Sequence, residues 1–162
     1  MYNVRKVTED LYWVGANDHR LALFENIHPI PRGVSYNAYV LLDEKTALFD
    51  TVDWSACRMF LENVDHVLAG RTLDYLVIHH MEPDHGASIQ EILMRYPAVK
   101  LVSSAKAFEM MKQFGFSLDG HECVVVKEGS VLSFGKHEVS FIGAPMEHWP
   151  EVLVSFESTN GV

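Results

Sequence analysis

The side chains of this chain that could do chemistry crowd into residues 73–88. His79, His80, Glu82, Asp84 and His85 place five candidate ligands in seven positions, with Pro83 stiffening the turn and Gly86 closing it. His80, Glu82 and Asp84 alternate and His85 follows directly, so a single turn can aim them at one point. Two imidazoles and two carboxylates concentrated this way are costly unless a cation neutralises them. The pattern therefore points to a metal site rather than to a solvated polar loop. His79 precedes the cluster on extended backbone and should point to the opposite face, in a structural role. A second station is residues 144–150, where His148 stands beside Trp149 and Pro150 after an apolar run. Glu147 and Glu151 beside it read as charges on the surface or behind the ligands.

The elements that must position these groups alternate strand and helix. Leu76, Val77 and Ile78 form the kind of short apolar run that fills a strand buried on both faces. The ligand loop follows at once, and then an amphipathic helix over 87–95. In an open α/β sheet, ligands sit where the carboxyl ends of the central strands meet such loops. Upstream, strands are expected at 6–8, 11–15 and 20–24. Residues 28–33 should be loop, because Pro29, Pro31 and Gly33 oppose regular pairing. Residues 36–43 and 46–50 form a hairpin. Met59, Phe60, Val64, Val67 and Leu68 mark one face of a helix over 54–69 with Asp53 as its N-cap. Downstream come a strand at 100–103 and a helix over 105–114 with Ala107, Phe108, Met111 and Phe114 inward. Strands at 123–126, 131–134, 138–142 and 152–157 complete the pattern.

Composition narrows the function classes. At 162 residues and 48% hydrophobic content the chain is one domain by size, with enough apolar material for a sizeable core. A net charge of −9 leaves no basic stripe to neutralise phosphates, which argues against a nucleic-acid partner. No apolar run has the length of a membrane span, and the start lacks the apolar region of a signal peptide. Cys57 and Cys123 form no CxxC pair and fit a reducing, cytoplasmic setting.

His80-x-Glu82-x-Asp84-His85 resembles the metal motif of the metallo-β-lactamase-like superfamily, whose hydrolases usually carry His where Glu82 stands. With Ser35-Tyr36-Asn37-Ala38-Tyr39 upstream and the 144–151 segment downstream, the Glu version resembles the flavodiiron proteins, also called A-type flavoproteins. The similarity runs over residues 4–162. It implies an α/β fold, the metallo-β-lactamase-like αβ/βα sandwich, of which residues 1–162 would be the first half or more. An aspartate that bridges two metals, a later histidine and a flavodoxin-like FMN domain would then follow, so the chain reads as a fragment with no FMN-binding residues of its own.

The resemblance also implies a site. His80, Glu82 and His148 would hold one iron and Asp84 would help hold a second. His85 ligates the second metal in the hydrolases but can turn away in flavodiiron proteins. His28 would lie beside the metals as a proton donor, and Trp149 would supply apolar wall. Imidazole suits zinc and iron alike, whereas added carboxylate favours a hard, redox-active ion. The implied reaction reduces dioxygen to water, nitric oxide to nitrous oxide, or both. Electrons would come from FMN, fed by a rubredoxin-like or flavin donor, in a head-to-tail homodimer. Alone, this stretch should bind iron weakly and be inactive. The alternatives are a dinuclear zinc hydrolase and a non-catalytic metal-binding fragment.

Overall fold

The computed structural model describes residues 2–162. Its middle layer is a seven-stranded mixed sheet, in spatial order Arg5–Lys6, Leu11–Trp13, Tyr39–Leu42, Thr46–Phe49, Tyr75–Val77, Lys100–Ser103 and Cys123–Val125. The first three pairings are antiparallel and the last three parallel. Alternation along the strands fills both faces. Val40, Leu48, Leu76 and Leu101 join one apolar cluster, whereas Leu41, Ala47, Phe49, Val77 and Val102 join another. Tyr75–Val77 lies between two parallel neighbours, as its unbroken apolar run requires.

Three helices supply the crossovers and cover one face. Cys57–Leu68 buries Phe60, Val64 and Leu68, Ile89–Arg95 buries Ile89 and Ile92, and Ala105–Gln113 buries Ala107 and Met111, all in the first cluster. Asp53 caps a 3-10 turn at Trp54–Ala56 that leads into the first helix, and Ser104 Oγ accepts from Ala107 N at 3.1 Å at the start of the third. The other face is covered by a three-stranded antiparallel sheet, Val131–Ser133, Glu138–Gly143 and Leu153–Glu157. Phe134, Val139, Phe141 and Leu153 fill the space between the sheets, while Val131, Ile142, Val154 and Phe156 are exposed on the far side.

His137, for which the sequence carried no signal, is fully buried where the two sheets meet. Its Nε2 lies 3.0 Å from Asp10 Oδ2 and its Nδ1 3.1 Å from Glu157 Oε1. Lys136 shares the same Asp10 oxygen at 3.0 Å. Burial lowers the proton affinity of this imidazole, but the hydrogen bonds of Asp10 and Glu157 outweigh it and hold its pKa above the ordinary value.

Four local expectations need correction. His28–Pro29 pairs with Leu23–Phe24 in a small ribbon, because a two-residue edge pairing does not need the proline's missing N–H. Only Leu23–Phe24 of the strand expected at 20–24 forms, since Asp18 Oδ1 takes Arg20 N at 2.7 Å and turns the chain. The strand expected at 36–43 is divided. Val34–Tyr36 pairs with Ala16–Asp18 in a separate ribbon, and Tyr39–Leu42 belongs to the main sheet. Gly15 lets the backbones meet there: a Cβ at this position would stand 1.9 Å from Tyr36 O. Phe114 is exposed, because the third helix ends one residue before it.

Candidate metal centre

The carboxyl ends of the parallel strands assemble the site. Beyond Tyr75–Val77 the chain runs through His79, which reaches Asp50 and Ser155, and His80, which reaches Glu82 and Glu151. The ligand stretch then becomes a turn of helix, Pro83–Gly86, with Pro83 in the first turn, where its missing N–H costs nothing. A two-residue break separates it from Ile89–Arg95, so the helix expected over 87–95 starts late. From the small sheet, a turn closed by Met146 N donating to Trp149 O at 3.0 Å presents His148.

His80 Nε2, Glu82 Oε2 and His148 Nε2 converge. The Glu82 oxygen lies 3.0 Å from His80 and 2.7 Å from His148, and one ligand atom from each of the three residues lies within 4.8 Å of the others. Metal–ligand bonds of about 2.0–2.2 Å put neighbouring donor atoms roughly 3 Å apart, so the three fit a single ion. Burial pushes the Glu82 carboxyl up, but the hydrogen bonds of His148 and then His80 outweigh it and hold it below its usual range. His80 is buried, whereas the His148 side chain is 59% exposed, so the cluster opens to solvent on that side.

The ring of His80 is held from behind. Glu151 Oε1 accepts from His80 Nδ1 at 2.7 Å and from Met81 N at 2.9 Å. The Trp149 ring meets His80 edge-on, with centroids 5.1 Å apart, and lies 6.2 Å from His148. With Nδ1 committed as a donor, His80 Nε2 faces a carboxylate oxygen. That contact is repulsive unless a proton or a metal ion lies between them.

Asp84 and His85 lie outside the three-residue group, although the His85 ring is 5.4 Å from that of His80. Asp84 Oδ2 is 3.5 Å from His85 Nε2, and Asp84 Oδ1 is buried with no hydrogen-bond partner among the described residues. Burial raises the Asp84 carboxyl, His85 opposes this, and the nearby Glu82 charge adds to the rise. His85 turns its Nδ1 to Asp50 Oδ2 at 3.1 Å. Burial lowers its pKa, but the Asp50 hydrogen bond and the charges of Asp50, Asp84 and Glu82 carry it up to about 9. His28 is exposed on its ribbon, and the carboxyl of Glu25 is raised by burial, Glu82 and Asp84.

Sequence reasoning missed Asp50 and left Glu151 between two readings. Asp50 ends Thr46–Phe49 with a φ of 59° and is buried. Its Oδ1 accepts His79 N at 2.7 Å, and its Oδ2 lies 2.9 Å from His79 Nδ1. His79 Nε2 continues to Ser155 Oγ at 2.8 Å, across to the small sheet. These groups close one end of a cavity of about 370 Å³ between the sheets. The signal for Asp50 was its place at the carboxyl end of a neighbouring strand. Of the two readings of Glu151, the one behind the ligands agrees with the structure, where it is buried against His80; a strand-end histidine that needs an acceptor was its signal.

The ODP family beta lactamase description matches residues 34–162. The chain is 34% identical over 151 residues to a nitric oxide reductase of Moorella thermoacetica, covering 93% of this chain and 38% of that protein. It is 32% identical over 164 residues to an anaerobic nitric oxide reductase flavorubredoxin of Klebsiella pneumoniae, covering 96% and 33%. Rubredoxin oxygen:oxidoreductase of Desulfovibrio gigas matches with a TM-score of 0.88 and 34% identity, over 96% of this chain and 38% of that one. The flavodiiron protein of Giardia intestinalis shares the fold, with a TM-score of 0.89 at 24% identity over 97% and 38%. The chain thus spans 33–38% of the length of these relatives. Among the described residues no helix is long and apolar enough to cross a membrane. The chain belongs to the ODP beta lactamase family and carries the metallo-β-lactamase-like domain of the flavodiiron proteins.

Proposed function

We propose that this chain supplies the iron-binding half-site of a flavodiiron oxidoreductase that reduces nitric oxide to nitrous oxide, dioxygen to water, or both. The observation that carries the reading is the convergence of His80 Nε2, Glu82 Oε2 and His148 Nε2 within bonding reach of one ion. Two histidines and one carboxylate are a donor set suited to non-haem iron with open positions for substrate. The relatives named as nitric oxide reductases favour iron over the zinc that the same donors could hold. Residues 1–162 would then be the incomplete diiron domain, and the FMN that delivers electrons would belong to a flavodoxin-like part that these residues do not include. A rubredoxin-like or flavin donor, a homodimer and a cytoplasmic setting complete the proposal.

Iron, when bound, supplies the redox-active centre. The residues of this chain present and protect it. His80 and His148 offer ring lone pairs, Glu82 contributes charge, and Trp149 walls the buried side of the imidazole pair. Asp84 would help hold a second ion. His85 Nε2, beside Asp84 Oδ2, can hold a proton next to the site while Asp50 keeps the ring in place.

The test is anaerobic loading of the 162-residue chain with Fe(II), followed by metal analysis and Mössbauer spectroscopy. At most one weakly held iron per chain is expected, and His80→Ala, Glu82→Ala and His148→Ala should each lose it. Iron binding indifferent to all three variants would refute the assignment. A tight two-iron centre would contradict the half-site.

A further inference from the structure

We propose that Glu151 is a positioning residue: its buried carboxylate decides which ring nitrogen of His80 carries the proton, and so which nitrogen is offered to a metal ion. This rests on the metal reading above. The Glu151 side chain has no exposed surface. It reaches His80 from the opposite side to Glu82, with Oε1 at 2.7 Å from Nδ1. A neutral imidazole has one donor and one acceptor nitrogen, and the hydrogen bond at one fixes the role of the other. A carboxylate can only accept, so Glu151 holds a proton at Nδ1. Glu82 faces Nε2 at 3.0 Å, and a metal ion there would take the place of a proton between the two.

Three further contacts keep this arrangement from turning. Met81 N donates to the same Oε1 at 2.9 Å, which pins the carboxylate to the backbone next to the histidine that it orients. Ser104 Oγ donates to Glu151 O at 3.1 Å, tying the loop to the start of Ala105–Gln113. Trp149 packs against the His80 ring at near right angles, with centroids 5.1 Å apart. Meanwhile Glu151 Oε2 is buried without a hydrogen-bond partner among the described residues. A buried carboxylate oxygen without a donor is costly unless positive charge gathers nearby. Among the described residues His80 is the ring it hydrogen-bonds, so a cation at the far nitrogen of that ring would supply the compensation. An anion hydrogen-bonded behind a ligating histidine also strengthens the ring as a metal donor, and losing such a partner typically weakens binding about 10–100-fold.

The experiment uses the 162-residue chain and cobalt(II) as the probe, with two readouts. In the metal-free protein, long-range ¹H–¹⁵N NMR should show His80 protonated at Nδ1. Glu151→Leu should lose the proton from Nδ1 to Nε2, where Glu82 is the remaining acceptor, and Glu151→Gln, which keeps an acceptor at Oε1, should preserve it. Cobalt affinity should fall about 10–100-fold in Glu151→Leu and by less in Glu151→Gln. Circular dichroism identifies any variant that has not folded, and Glu151→Gln, with nearly the same shape, then carries the test through its unchanged tautomer and weakened cobalt binding. An unchanged tautomer and affinity in folded Glu151→Leu, or wild-type affinity in Glu151→Gln if Leu does not fold, would overturn the proposal. His80→Ala separates the two claims. If cobalt binding ignores His80, the metal reading fails, and the NMR result still decides whether Glu151 orients the ring.

Discussion

Asp50→Ala should be among the most destabilising single substitutions in this chain, although Asp50 is not among the proposed ligands. Its carboxylate takes His79 N at 2.7 Å, His79 Nδ1 at 2.9 Å and His85 Nδ1 at 3.1 Å. Burial works against its ionisation, yet the charge and hydrogen bond of His79, then those of His85, keep it firmly ionised. Truncation removes all three acceptor contacts and strands a backbone N–H and two imidazoles. Each unsatisfied buried donor costs roughly 1–3 kcal/mol, and breaking a buried ion pair from one side roughly 3–5 kcal/mol. The contributions overlap, because His79 accounts for two contacts, so about 3–5 kcal/mol is expected in total. Asp50→Asn keeps the shape and one acceptor oxygen, and should cost about half as much. Urea unfolding of the metal-free chain, followed by circular dichroism at fixed pH, measures both. A midpoint for Asp50→Ala within about 0.5 kcal/mol of wild type would refute the view that this carboxylate holds the strand ends together.

Three more outcomes follow from the packing. His137 binds its proton more tightly folded than unfolded, so its contribution is complete below the ordinary value of 6.5 and is lost as pH rises through the elevated folded value. Urea midpoints should therefore fall from pH 6 towards pH 9, and His137→Leu should flatten that slope. Phe60→Ala removes a fully buried ring beneath the first helix and should cost about 3–5 kcal/mol by the same assay. Gly15→Ala forces a methyl group against Tyr36 O and should cost about 1–3 kcal/mol or more, visible as a lowered thermal midpoint.

Much of this molecule was legible because its signals are local. The apolar run at 76–78, the capped helix after Asp53 and the hairpin Leu42–Thr46 each declare themselves within a few residues. His80, Glu82 and His148 were readable because their residue types stood at strand ends, and a family resemblance linked the two stations. What escaped was non-local. His137 looks like a turn residue until Asp10 and Glu157 close on it, and neither lies within 15 positions of it in the chain. Glu151 stayed open between the surface and a place behind the ligands, because the His80 that decides it is 71 positions away. The ribbon at His28–Pro29 defeated a proline rule that governs central strands and is relaxed at isolated edges.

The candidate site straddles a seam. His80 and Glu82 hang from the large sheet, whereas His148 and Glu151 arrive on the loop between two strands of the small one. Whatever ion settles there clamps the two layers, and mass action then credits its binding energy to their docking. The linkage runs both ways. Thermal loosening of the outer layer would release the ion while the helix-covered layer beneath is still folded, so occupancy of the centre reports on the closure of the sandwich.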